Sequence, residues 1–444
     1  MIRSDSSLMQ LNPSAARLQS CLSKSRLNQS FWKEKQKVLS MGNLKERPLR
    51  VLAADDSAVM RGIMHRLFAM HAEARRSELP SMELCGVAQD GIECLEAVKA
   101  LRPDVLVLDL EMPRLNGLEV LDRLRVEHPE LPVIMCSSHT ERGARSTLDA
   151  LSRGALDYVM KPSAQNDFAA GLLSLSQQLL PRIAALAMNT SRGDGGRQRE
   201  EKSCENVSPE AAQRPRTGEG NAAIEVVVIG LSTGGPSALE QMLPLLPADF
   251  PVPLLIVQHM PKLFTGALAE RLDKCCALHV EQGYDGAVIR PGTAWLAPGD
   301  AHMEVAPRVL LGESGTRGVR VQLHRREPLH HCMPSVDYLF FSAARMYGAG
   351  TLALVMTGMG SDGLEGARTV HERGGVVLAQ DEATSAVWGM PGRVSAAGIA
   401  SATLPLAMLA EALQQRVSNS RMTRPGPAPH AAMVPPREVM HGML

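Results

Sequence analysis

The chain has 444 residues, which is long for a single domain and fits about two or three. Hydrophobic residues make up 45% and aromatic residues 3%, so its cores must be filled by aliphatic and methionine side chains. Lys plus Arg and Asp plus Glu balance at 47 each, which excludes the global basic field of a nucleic-acid binder.

Residues 1–48 are polar and mildly basic with little periodicity and read as a flexible extension. They lack a continuous apolar signal core, and Met41 lies shortly before the first strand, a possible natural start. From Leu49 strand and helix patterns alternate. RVLAAD, MELCGVA, DVLVLDL, PVIMCSS and DYVMKP are short apolar strands, and SAVMRGIMHRLFAM, GIECLEAVKALR, GLEVLDRLRVEH and ERGARSTLDALSRG between them have helical spacing. A closing helix is expected from 166 to about 185. Five β-α units in succession imply a doubly wound parallel sheet. Residues 186–222 turn rich in Gly, Pro, Ser and both charge signs and read as a linker.

A second α/β pattern follows from Ile224 to about Val417. IEVVVIG, VPLLIVQHM, TLALVMTGM and VVLAQD are its longer strands. PSALEQMLPLLP, LFTGALAERLDKCCAL, DYLFFSAARMYG, LEGARTVHERGG and MLAEALQQRV are its helices, with shorter strands and turns over 279–324. The Pro-rich tail from 418 reads as disordered. No apolar run approaches the ~18 residues of a membrane span. The eight cysteines (Cys21, Cys85, Cys94, Cys136, Cys204, Cys275, Cys276 and Cys332) show no C-x-x-C spacing and read as reduced thiols. A cytoplasmic protein with no direct membrane insertion and no nucleic-acid partner is expected.

Charged residues of the first unit fall where open α/β sheets build sites, at the carboxyl ends of strands. Asp55 and Asp56 follow the first strand, Asp109 ends the third, Ser137 the fourth and Lys161 the fifth. Three carboxylates there suit a hard cation such as Mg2+, with Asp109 as phosphoryl acceptor and Ser137 and Lys161 taking phosphoryl oxygens. Each residue alone reads better as a polar loop end; the five in register carry the assignment. The combination with LDLEMPRLNG and Lys161-Pro162 resembles the two-component receiver domain over residues 49–166. The resemblance implies phosphorylation of Asp109 by a histidine kinase, Mg2+ on Asp55, Asp56 and Asp109, and Tyr158 as an aromatic switch residue. The insert AEARRSELPS at 72–81 departs from it and should only lengthen a loop.

In the second unit, VVVIGLSTGGP carries a Gly-X-Ser-X-Gly turn between strand and helix. Such a turn lifts the Ser232 hydroxyl clear of the sheet and aims free helix N–H groups beside it. A serine that merely caps the helix is the competing reading. No Gly-Lys-Ser/Thr follows, so the turn is not a Walker loop. His259, ending the next strand, is the candidate base, with His330 and His331 as runners-up. Asp362, in the glycine loop after TLALVMTGM, can accept from one imidazole nitrogen while the other faces Ser232; it also reads as a helix cap. Backbone donors near Thr233, Gly234 and Met359 are expected to hold an oxyanion. The order Ser, His, Asp differs from the Ser, Asp, His of α/β-hydrolases, so the turn does not place the chain there.

IGLSTGGP, QHMP, LAPGDAH, PSVDYLF, LVMTGMGSDG and QDEATSAVWGMP together resemble the catalytic domain of the bacterial chemotaxis protein-glutamate methylesterases. That resemblance implies a Ser232, His259, Asp362 triad, hydrolysis of glutamate γ-methyl esters on methyl-accepting chemoreceptors, and often deamidation of receptor glutamines. Leu231 and Trp388 stand where the family usually has alanine and tyrosine. The fold class expected is α/β: two doubly wound parallel-sheet domains, a flavodoxin-like receiver and a Rossmann-like methylesterase domain, joined by a flexible linker. The expected division is extension 1–48, receiver 49–166, closing helix and linker 167–222, catalytic domain 223–417 and tail 418–444. A non-enzymatic adaptor has no use for the three reactive side chains. A transcription factor would need a helix-turn-helix pattern or basic stripe, which the second unit lacks.

Overall fold

Apolar runs of five or six residues bounded by acidic or glycine-rich turns are too short for helices and fold as strands buried on both faces. A computed structural model of the chain describes residues 47–73, 79–138, 140–162, 168–196, 222–308 and 318–422. The expectations for residues 1–46, for residues 74–78 of the insert, for linker residues 197–221 and for the tail beyond 422 lie outside the described residues.

β1 (Leu49–Ala54), β2 (Met82–Ala88), β3 (Val105–Asp109), β4 (Val133–Ser137) and β5 (Asp157–Met160) form a five-stranded parallel sheet in the order β2-β1-β3-β4-β5. Helices α1 (Ala58–Glu73), α2 (Gly91–Leu101), α3 (Gly117–Glu127) and α4 (Glu141–Ser152) connect them. Their starts are written in the sequence. Asp90 caps α2 by accepting from the N–H groups of Ile92 and Glu93, Asn116 and Glu119 form a capping box on α3, and Thr140 caps α4. The strand order makes β1 and β3 neighbours, so the acidic residues after them emerge together at the point where the winding reverses.

Helix α5 runs from Phe168 to Gly196, past the expected end near 185 and into the stretch read as linker. Composition suggests a linker there, but Ile183, Ala184, Leu186 and Ala187 are buried in one apolar cluster with Met60, Met64 and Leu67 of α1. Tertiary burial therefore extends the helix beyond what local composition supports.

The second sheet has seven strands in the order β14-β13-β12-β6-β7-β9-β8. They are β6 (Val226–Leu231), β7 (Leu254–Gln258), β8 (His279–Gln282), β9 (Thr293–Leu296), β12 (Thr351–Val355), β13 (Val376–Gln380) and β14 (Ala402–Leu404), and every pairing between them is parallel. β10 (His302–Arg308) and β11 (Gly318–His324) form a separate antiparallel pair. Helices α6 (Gly235–Met242), α7 (Lys262–Cys275), α8 (Val336–Tyr347), α9 (Leu364–Glu372), α10 (Met390–Ala396) and α11 (Leu406–Met422) cover the sheet. Strand β14 and helix α10 are missing from the sequence reading. β14 is three residues long and exists through pairing with β13, while α10 carries Pro391 in its first turn and its Met390 N–H donates to the carbonyl of Gly358. The last helix ends at Met422 and not at 417, because Ser420 Oγ accepts the Ile224 N–H and Arg421 donates to the Pro251 carbonyl. Residues 418–422 thus belong to the folded unit, which corrects the expected tail.

Gly117 sits where α3 starts against β3. A Cβ there would lie 2.1 Å from the Asp109 carbonyl oxygen and 2.9 Å from Leu110 Cα, both backbone atoms that cannot rotate away. Gly117→Ala is expected to destabilise the receiver fold by about 1–3 kcal/mol, measured as a lower urea midpoint of the full chain. An unchanged midpoint would show that the strand end yields.

Candidate active site

Ser232, His259 and Asp362 leave the sheet at the carboxyl ends of β6, β7 and β12, and β6 lies between the other two. The backbone fixes each. Ser232 N–H donates to the Thr357 carbonyl at 3.0 Å, and His259 N–H donates to the Leu231 carbonyl at 3.1 Å. Gly234 takes φ +76°, a left-handed conformation that suits glycine, and a Cβ on Gly235 would meet Gln258 Oε1 at 1.9 Å. The turn beside Ser232 therefore disfavours a side chain at Gly234, and one at Gly235 would have to displace the Gln258 amide. Gln258, buried at the end of an otherwise apolar strand, donates to the Ser232 carbonyl at 2.9 Å and latches the turn. Its polarity in LLIVQ was the signal the sequence offered.

Asp362 is buried and accepts from four groups besides histidine. Ser335 Oγ, Asp337 N–H and Gly363 N–H reach Oδ1 at 2.9, 3.1 and 3.0 Å, and Val336 N–H reaches Oδ2 at 2.8 Å. His259 Nε2 lies 2.8 Å from the same Oδ2. The helix-capping expectation for Asp362 needs correction: α9 is preceded by Gly363 with no side-chain cap, whereas the carboxylate caps α8. Burial alone would raise the Asp362 pKa, but His259 and these backbone donors outweigh it and hold the carboxyl below its usual range. Burial disfavours charge on His259 too, yet the Asp362 carboxylate and the Cys332 sulfur override it and push the imidazole pKa up.

The expectation that the second imidazole nitrogen faces Ser232 is not met. Nδ1 of His259 faces Cys332 Sγ at 3.6 Å, and no hydrogen bond joins His259 to the Ser232 hydroxyl among the described residues. Ser232 and His259 still line one cleft with Cys332, His330, His331 and Asp362. The runner-up His330 turns its Nε2 to Asp337 at 3.2 Å. Met359 lines the cleft, and the backbone N–H groups of Thr233, Gly234 and Met359 meet no acceptor among the described residues.

At the other sheet, ligand oxygens of Asp55, Asp56 and Asp109 lie within 4.8 Å of one another. Lys161 Nζ sits 2.9 Å from Asp55 and 2.7 Å from Asp109. Asp55 Oδ2 and Asp109 Oδ2 are buried with no donor apart from that ammonium, so the chemistry of the cluster fits a hard divalent cation. Burial, then the Asp55 charge, push the Asp109 pKa up to about 6. Ser137 joins the cluster through its backbone, its carbonyl accepting the Lys161 N–H at 2.8 Å. Its hydroxyl is turned into α4, accepting from Thr147 Oγ1 at 2.7 Å.

Residues 227–413 match the CheB methylesterase family, and residues 51–172 match the response regulator receiver domain. A protein-glutamate methylesterase/protein-glutamine glutaminase of Trichodesmium erythraeum is 41% identical over 369 residues, which span 83% of this chain and 99% of that protein. The chain belongs to the CheB methylesterase family. A protein of the same description from Nocardioides is 40% identical over 373 residues, spanning 84% of this chain and 96% of that protein. The crystal structure of the Thermotoga maritima CheB methylesterase catalytic domain is 39% identical, covers 44% of this chain and 99% of that one, and has a TM-score of 0.41.

In this CheB-family chain the receiver lines part of the cleft that holds Ser232 and His259. Tyr158, Met160, Gln178 and Arg182 from β5 and α5 line it alongside Ser232 and His259. Asp157 accepts from Thr233 Oγ1 at 2.5 Å, one residue from Ser232, and from Arg182 Nε at 3.0 Å. Tyr158 stacks on Phe264 with ring centroids 4.6 Å apart and planes 12° off parallel. Arg271 of α7 spans the boundary, donating to Asp149 and, at 2.8 Å, to Ser152 of the receiver and at 2.6 Å to Glu240. Asp157, Arg271 and Cys332 escaped sequence reasoning, because nothing local marks a residue whose partner lies across a domain boundary or on a remote loop. No helix among the described residues is long and apolar enough to cross a membrane.

Only the ionised form of Asp109 offers both of its oxygens as ligand or nucleophile. Mg2+-dependent labelling by a small phosphodonor is expected to fall as pH drops through about 6, because protonation removes that form. Labelling that stays flat down to pH ~5 would contradict the raised carboxyl.

Proposed function

We propose that this CheB-family enzyme is a phosphorylation-activated protein-glutamate methylesterase. It hydrolyses glutamate γ-methyl esters on methyl-accepting chemoreceptors, deamidates receptor glutamines, and serves adaptation in two-component chemotaxis signalling. The observation that carries the reading is the convergence of Ser232, His259 and Asp362 on one cleft, with Asp362 bonded to the imidazole. The relatives' protein-glutamate methylesterase/protein-glutamine glutaminase activities support the substrate class.

In this reading His259 takes the Ser232 proton as the hydroxyl attacks the ester carbonyl. Nδ1 must leave Cys332 for the hydroxyl, while Asp362 keeps Nε2–H in place. The N–H groups of Thr233, Gly234 and Met359 stabilise the oxyanion. His259 then returns the proton to departing methanol, or to ammonia when the substrate is glutamine. Water, deprotonated by the same base, hydrolyses the acyl-serine and leaves glutamate.

The partner upstream is a chemotaxis histidine kinase that supplies the phosphoryl group of Asp109. Asp55, Asp56 and Asp109 would hold Mg2+, which would supply charge neutralisation for that transfer. Phosphorylated Asp109 competes for Lys161, draws the Ser137 hydroxyl and the switch residue Tyr158 toward it, and loosens the receiver's hold on the cleft. The stacking of Tyr158 on Phe264 and the bond from Thr233 to Asp157 support receiver cover as the resting state.

The decisive measurement is methanol release from methylated receptor, with and without a small phosphodonor and Mg2+. Ser232→Ala is expected to lower turnover by about 10³-fold or more while the fold persists; methanol release at the unmodified rate would remove the serine assignment. Arg271→Ala is expected to raise turnover of the unphosphorylated chain by about five-fold, the yield of a partly exposed ion pair worth about 1 kcal/mol. An unchanged basal rate would mean that the Arg271 bridge does not hold the cover shut.

A further inference from the structure

The loop before α8 turns sharply at His330 and His331, which have φ values of +51° and +62°, and the Cys332 N–H closes the turn on the Leu329 carbonyl at 2.8 Å. The turn delivers the Cys332 thiol to the wall of the cleft, 3.6 Å from His259 Nδ1. The proposed ester chemistry gives this sulfur no role.

The spacing has a meaning in coordination chemistry. A tetrahedral zinc ion about 2.3 Å from a thiolate and about 2.0 Å from an imidazole nitrogen holds sulfur and nitrogen about 3.5 Å apart. The opposite ring nitrogen is bonded to the buried Asp362 carboxylate at 2.8 Å. A carboxylate in that position fixes the tautomer that leaves Nδ1 as the free donor and raises its basicity, the arrangement that supports metal-bound histidines. Sγ of Cys332, a ring nitrogen of His259 and a carboxylate oxygen of Asp362 all fall within 4.8 Å of one another. The positions that His259 and Cys332 leave open face the cleft and suit water.

We propose that His259 Nδ1 and Cys332 Sγ form an inhibitory binding site for a soft divalent cation of the zinc class. On binding, the thiol proton passes to solvent, a sulfur–zinc and a nitrogen–zinc bond form, and Asp362 remains the outer partner of the ring. The cation occupies the nitrogen that must otherwise take the Ser232 proton, so the esterase stops until the metal is withdrawn. Binding itself does not depend on the functional reading above; inhibition does.

The test uses the full chain and two readouts. Co2+, a spectroscopic stand-in for zinc, is expected to give a sulfur-to-cobalt charge-transfer absorption that is lost in Cys332→Ser. The band should persist in Ser232→Ala, and also in the variant carrying Cys275→Ser and Cys276→Ser, whose adjacent thiols offer another place for a thiophilic ion. Zn2+ is then expected to lower methanol release by about 10²-fold, the worth of a general base, with recovery on adding EDTA. The ratio of rates with and without Zn2+, taken within each protein, should fall close to one in Cys332→Ser. A charge-transfer band that survives Cys332→Ser, or the absence of any band, would overturn the site and leave a plain thiol–imidazole contact. A band present without inhibition would keep the metal site and overturn the switch. Loss of methanol release in every protein before metal is added would instead count against the esterase reading, with the cobalt band still reporting the site.

Discussion

The catalytic cleft depends on one buried negative charge. Taken out of water alone, the Asp362 carboxylate would cost several kcal/mol. Four donors from two elements answer it: Ser335 Oγ with the N–H groups of Val336 and Asp337 at the start of α8, and the N–H of Gly363. The helix dipole of α8 adds to the same effect. Because three of the four donors are backbone N–H groups, the carboxylate's position is set chiefly by the fold, and His259 is oriented by a fixed point. Ser335 is itself held through its N–H, which donates to the buried His302 at 3.1 Å, so the orientation reaches back to β10.

Both sheets apply one rule to different chemistry. Parallel strands end together, and their carboxyl ends gather polar residues from segments distant in sequence. In the receiver that gathers three acids around one lysine; in the catalytic domain it gathers an alcohol, an imidazole and an acid. The receiver rests on the catalytic rim through β5, α4 and α5, with an apolar cluster continuous from Leu148 and Tyr158 into Leu239 and Phe264. Polar bonds from Thr233 to Asp157 and from Arg271 to Asp149 and Ser152 accompany that apolar contact.

Much of this was legible in the sequence. Strand identities followed from short β-branched runs, and Asp55, Asp109, Ser232, His259 and Asp362 were visible as strand-end residues in an alternating α/β pattern. Tertiary effects hid the rest. Helix α5 outran its composition because Ile183, Leu186 and Ala187 pack on α1, and α11 outran its periodicity because Ser420 binds the Ile224 backbone. Three-residue β14 has no period to detect. Asp362 read as a helix cap and does cap a helix, but one whose start lies 26 residues upstream of it in sequence. Cys332 looked like an ordinary thiol until the turn at His330 and His331 carried it beside the imidazole.

Strand β5 is the shortest of the receiver sheet, from Asp157 to Met160. Its first residue grips Thr233, and Lys161, just beyond its last, pairs with Asp109. Four steps of extended chain span about 13 Å, close to the length limit of the backbone. Such a segment behaves as a taut tether: a pull at one end arrives at the other with little slack to absorb it. Asp109 and Ser232 are in that sense mechanically adjacent, although they lie more than a hundred positions apart.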